Sequence, residues 1–180
     1  SRSIHCNAKT NYRGKLMTNA SKSRTWYFRH KTETIEEYIE RIEGLIEREH
    51  NTEVLVQIAR DVFKTIHDAY PHFIGIKGSY TGGGDSGYAD NHKPIFKGGK
   101  AFDETSSACQ TYLKKFDDII DTFCWSIPYS VNPGMEINGG CDGELIIELK
   151  DEPNDDGELW HVSIEHTAYI EDSNYNEYEL

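Results

Sequence analysis

Two apolar stripes follow one another at helical spacing between residues 34 and 70, and they fix much of the fold before any other feature is read. In the first, Thr34 and Glu37 form a capping-box pattern, and Ile35, Ile39, Ile42 and Ile46 recur every three or four residues with Tyr38 and Leu45 beside them. This predicts a helix ending near His50 and Asn51. Thr52 can cap a second helix whose stripe is Leu55, Ile58, Ala59, Val62, Phe63 and Ile66, and Pro71 stops it. Two helices joined so closely make a helical hairpin. A third helix is expected over roughly Glu104 to Phe123, burying Cys109, Tyr112, Leu113, Phe116, Ile119, Ile120 and Phe123.

In the last third of the chain the apolar period drops from helical to two. Glu144 to Lys150 and Glu158 to His166 alternate, with Asp151 to Gly157 between them rich in turn-forming residues, so an antiparallel hairpin is expected. Leu145, Ile147 and Leu149 should meet Trp160, Val162 and Ile164 on one face, leaving Glu144, Glu148 and Glu165 to solvent. Elsewhere, Arg24 to His30 is aromatic enough for a strand, and Phe73 to Lys77 reads as a short one. Gly78 to Lys100, full of glycine and polar residues, reads as a long loop or a loose β excursion. The expected fold class is α+β: a helical hairpin plus a third helix packed on an antiparallel sheet that includes the C-terminal hairpin. Residues 1–23 read as a cationic arm or short hairpin around Arg13 and Gly14, 24–172 as a single domain, and 173–180 as an acidic tail.

Charge is divided along the 180 residues more sharply than the net value of -12 suggests. Residues 1–31 hold eight Lys or Arg and no carboxylate, while 142–180 hold thirteen Asp or Glu against Lys150 alone. Such asymmetry points to charged partners. No apolar run is long enough for a membrane span and the start does not resemble a signal peptide, so a cytoplasmic location is expected. Cys6, Cys109, Cys124 and Cys141 are far apart and read as reduced, mostly buried thiols.

The motifs that suggest catalysis each fail a test of context. Gly84-Asp85-Ser86-Gly87 resembles the surroundings of the nucleophile in chymotrypsin-like serine proteases. Tyr88 follows, however, where that family has another Gly, and two helices precede it where that fold needs a β-barrel. His161-Val162-Ser163 resembles one arm of the 2H phosphoesterases, but the other arm would be His30-Lys31-Thr32, with charge in place of apolar neighbours. The glycine loop lacks the Gly-Lys-Ser or Gly-Lys-Thr of a phosphate-binding loop. His161 and His166 point to opposite faces of a strand, and no Cys-x-x-Cys occurs, so neither a metal nor a cofactor is expected.

The remaining signal is electrostatic. Glu36, Glu40, Glu43 and Glu47 form one carboxylate stripe about 16 Å long at about 1.5 Å per residue. Its charge spacing is sparser than DNA phosphate but of the same order. Like charges four apart destabilise a helix, so stability alone would not select them. With Glu144, Glu148 and Glu165 they suggest a non-catalytic acidic protein that docks on a basic protein or nucleoprotein complex, inhibiting a nucleic-acid-processing enzyme or mimicking its substrate. Small acidic inhibitors from phages and mobile elements that block restriction or CRISPR enzymes are similar in size and charge, which suggests an anti-defence role. A second reading gives nucleic-acid contact to the arm, through Arg2, Lys9, Arg13, Lys15, Lys22, Arg24 and Arg29 with Trp26 for stacking. A third is a hydrolase of unfamiliar type using Asp85, Ser86, His161 and Glu165.

Overall fold

The structure, a computed structural model, describes residues 8–11, 27–137 and 139–169, with the backbone alone for 8–11 and Asp90. The elements in chain order are β1 (Ala8–Asn11), α1 (Ile35–Glu47), α2 (Thr52–Ala69), β2 (Phe73–Gly83), β3 (Ser86–Phe96), α3 (Ser107–Lys114), α4 (Asp117–Val131), β4 (Cys141–Leu149) and β5 (Trp160–Ala168). The strands form one antiparallel sheet in the order β1-β5-β4-β2-β3. The fold is α+β, as the two periodicities require.

The capping box of α1 forms as read, with the Glu37 amide donating to Thr34 Oγ1 at 3.1 Å and the Thr34 amide to Glu37 Oε1 at 3.2 Å. Ile35, Tyr38, Ile42 and Ile46 are buried, whereas Ile39 is half-buried and Leu45 exposed. The helix ends at Glu47 rather than near Asn51, because Asn51 instead caps α2, accepting from the Glu53 and Val54 amides. Thr52 is therefore the first residue of α2, and its hydroxyl donates to Ser130 at 2.7 Å. The third helical stretch is two helices, broken at Lys115 and the fully buried Phe116, and α4 continues through Pro128 to Val131.

One expected strand differs from the structure. Tyr27 to His30 forms a turn, not a strand, while the rest of that stretch lies outside the described residues. Local bonds account for the turn: Tyr38 Oη donates to the Tyr27 carbonyl at 2.6 Å, and Arg29 Nε to the Glu33 carbonyl at 2.8 Å. Of the two readings of Gly78 to Lys100, a long loop or a loose β excursion, the β one holds as far as Phe96. β2 and β3 form a long hairpin that turns at Gly84 and Asp85, whose φ values of 59° and 66° are the pair a tight two-residue turn demands. The glycines that disguise these strands let α4 lie close: a Cβ on Gly78 would come within 2.2 Å of Cys124 Sγ, and one on Gly87 within 1.9 Å of the Trp125 ring.

The C-terminal hairpin has the expected pairing, Leu145 with Ile164, Ile147 with Val162 and Leu149 with Trp160. These residues face α2 and α4 and join the buried helix stripes in one core. α1 packs chiefly on α2 and α4, outside the sheet. The other sheet face carries no described helix.

Candidate functional site

The four glutamates of α1 lie on the helix as the spacing predicts, but they differ in their partners. Lys115 Nζ lies 2.8 Å from Glu36 Oε1, and this contact holds the Glu36 carboxyl below the ordinary range. Glu40, Glu43 and Glu47 make no ion pair among the described residues. Arg41, the base within α1, is turned to Glu33, with Nε 2.8 Å from Oε2. The last turn of α1 holds no base, and Arg48 stands only at the cap. The Glu36 contact with Lys115 and the Thr52 bond to Ser130 set α1 alongside α4, running in the same direction. α4 brings Asp117, Asp118 and Asp121 and no Lys or Arg. Asp117 and Asp121 turn to His92 of β3, so of these three only Asp118 is left without a charged partner among the described residues.

The hairpin carboxylates belong to a different surface. Glu144, Glu148 and Glu165 stand on the open sheet face, opposite the helices, so they do not converge with the α1 stripe. Two of the three are paired with a lysine. Lys77 Nζ is 3.3 Å from Glu144 and Lys150 Nζ is 2.8 Å from Glu148, while Glu165 occupies the register position between Lys9 of β1 and Glu144 of β4. Surface ion pairs contribute little stability, about 0 to 1 kcal/mol, but they do cancel charge.

Of the cationic candidates, Arg2, Arg13, Lys15, Lys22, Arg24 and Trp26 lie outside the described residues. Lys9 falls in edge strand β1, and Arg29 is exposed at the turn before α1.

The catalytic candidates are scattered. Ser86 pairs with Gly83 at the hairpin tip, whereas His161 pairs with Glu148, which pairs with Gly75. Eight residues of strand separate those levels, about 26 Å at about 3.3 Å per residue, with further strands between. His161 Nε2 faces the Glu152 carbonyl at 2.9 Å, and His30 lies in the turn before α1, so among the described residues neither resembled motif is joined by its second half. Cys109, Cys124 and Cys141 are free and buried. Burial pushes the Cys124 thiol up to about 12, so it is not a ready nucleophile.

Sequence reading missed one constellation. His92 of β3 places Nδ1 2.6 Å from Asp121 Oδ1 and Nε2 3.2 Å from Asp117 Oδ1. The two aspartates are one helical turn apart on α4, and that spacing was the only signal available, since the histidine comes from a distant strand. Both ring nitrogens are occupied, so the cluster joins β3 to α4 and has no nitrogen left for a substrate.

No family model matches the chain, and no curated protein or solved structure is similar to it. No helix among the described residues is long and apolar enough to cross a membrane.

Proposed function

We propose that this protein is a non-catalytic acidic binding protein, and that α1 is the surface it presents to a cationic groove of a nucleic-acid-processing enzyme. The observation that carries this reading is the bare run of Glu40, Glu43 and Glu47, beside an α4 that has no base to offer them. A rigid row of carboxylates about 11 Å long meets a phosphate-binding groove with its charges already in place, so little ordering entropy is lost on docking. Inhibition by occupying the nucleic-acid path follows, and a phage or mobile-element anti-defence role, against restriction or CRISPR enzymes, is the setting this profile suits.

The test is a tagged pull-down from host lysate at about 50 mM salt, with elution by a salt step and identification by mass spectrometry. A basic nucleic-acid enzyme should elute from the parent and not from Glu40→Gln/Glu43→Gln/Glu47→Gln, and the parent should displace labelled nucleic acid from it. Capture that survives the triple substitution unchanged would refute the assignment to α1.

A further inference from the structure

The sheet face opposite the helices holds a feature unrelated to the acidic stripe. Across β3, β2 and β4 it carries an open depression of about 460 Å³, within the size range of small-molecule sites. Ser79, Thr81, Asn91, Asp142 and Glu144 line it, and the backbone of Tyr80 and Gly143 completes it. The register orders these side chains. Tyr88, Thr81 and Asp142 form one row across the three strands, and Asn91, Ser79 and Glu144 form the next. At a strand spacing of about 4.8 Å and about 6.8 Å between same-face neighbours, the two rows cover about 10 Å by 7 Å.

A β-bulge makes the first row possible. Between Tyr88 and Asn91, Ala89 and Asp90 stand against Tyr80 alone, so the regular alternation is broken. Without the extra residue Tyr88 and Asn91 would point to opposite faces; with it both face outward. Tyr88 is 58% exposed and pairs with Thr81, which places it beside the depression. On the other side Tyr169 follows β5 and donates its hydroxyl to Asp142 Oδ2. The depression is thus polar in its floor and edged by tyrosine on two sides.

Charge narrows the class of ligand. Phosphates and other anions would meet Asp142 and Glu144. A strongly cationic ligand gains less than two carboxylates suggest, since Glu144 already has Lys77 at 3.3 Å and Asp142 already accepts from Tyr169. What remains is a grid of hydroxyl, amide and carboxylate groups in which Glu144 is paired with Lys77 and Asp142 stays charged but already accepts from Tyr169, able to accept and donate over a short span. An exposed aromatic ring beside such a grid suits the apolar C–H face of a sugar ring.

We propose that this face is a binding site for a neutral carbohydrate of one or two pyranose rings, with Tyr88 stacking on a ring and Asp142, Glu144, Asn91, Ser79 and Thr81 meeting its hydroxyls. The proposal is independent of the α1 reading, because the two surfaces lie on opposite sides of the helix and sheet layers.

The experiment is a titration of the isotopically labelled full chain, followed by amide chemical shifts. The probes are maltose, cellobiose and N,N′-diacetylchitobiose, with glucosamine as a cationic counterpart and glucose 6-phosphate as an anionic one. At least one neutral disaccharide should give saturable shifts at Thr81, Tyr88, Asn91 and Asp142. Tyr88→Ala should weaken that binding about fivefold, and Asp142→Asn about tenfold. Amides elsewhere in both variants should keep the parent's positions, which shows that the fold is intact. The proposal is overturned if no neutral sugar gives shifts at this face, if Tyr88→Ala leaves affinity unchanged, or if only glucosamine or only the phosphate binds.

Discussion

Replacing Glu43 and Glu47 by glutamine should make the protein more stable and its acidic surface a poorer docking site. The two carboxylates stand one helical turn apart with no ion-pair partner among the described residues. Relieving a like-charge pair at that spacing gains about 0.3 kcal/mol. Glu47 also ends the helix, where a negative charge opposes the macrodipole, and removing it gains about 0.5 kcal/mol more. Glutamine has nearly the helix propensity of glutamate, so the sum, about 0.8 kcal/mol, should appear as a Tm about 2 °C higher. The gain is electrostatic and must fade with salt, since the screening length falls from about 30 Å at 0.01 M to about 3 Å at 1 M. Thermal melts of parent and double variant at those two salt concentrations read the effect. A Tm that is unchanged or lower at low salt would refute the premise that these charges destabilise α1. A higher Tm combined with undiminished partner capture would refute their role in docking instead.

Three further outcomes follow from contacts in the fold. Gly78→Ala should cost about 1 to 3 kcal/mol in urea unfolding, because the new Cβ would come within 2.2 Å of Cys124 Sγ, and Cys124→Ala in the same chain should recover part of the loss. Tyr38→Phe, which removes the 2.6 Å bond to the Tyr27 carbonyl from a fully buried ring, should lower stability by about 1 kcal/mol, read from the denaturation midpoint at unchanged slope. The Arg41 guanidinium beside Glu33 holds that carboxyl down at about 2, so its contribution is full above the ordinary carboxylate value of 4.5 and is lost as pH falls toward 2. Glu33→Gln should accordingly be less stable than the parent at pH 6, with the gap closing between pH 4.5 and 2; a gap independent of pH would count against this pairing.

The sequence was legible wherever one face of an element is buried and the other is not. The stripe of α1 and the alternation of β4 and β5 are of this type, and Leu145, Ile147 and Leu149 do meet Ile164, Val162 and Trp160 on one face. β2 and β3 were hidden because their core-facing positions include Gly78, Gly82 and Gly87, chosen for the close approach of Cys124 and Trp125 rather than for strand propensity. The turn at Tyr27 to His30 was misread because its aromatics serve long-range contacts: Lys64 lies over Phe28, and Tyr38 holds the Tyr27 carbonyl. The candidate stripe was visible as a pattern, but which of its members are free was not. Lys115 is far along the chain from Glu36, and only the packing of α1 beside α4 makes them neighbours.

That packing also changes what the acidity implies. Acid spread for solubility alone would leave bases distributed without regard to face. Instead, Lys77 and Lys93 stand on the open sheet face among Glu144 and Asp142, while α4 has no base and α1 turns Arg41 to Glu33. Two of the sheet-face carboxylates, Glu144 and Glu148, are paired with lysines, whereas Glu40, Glu43 and Glu47 of α1 have no ion pair among the described residues. An unpaired row of carboxylates attracts a cationic surface from a distance of about one screening length, whereas paired carboxylates select by hydrogen bonding at contact. On the two proposals the surfaces take different partners, so substitutions confined to α1 should leave sugar-induced shifts on the sheet untouched.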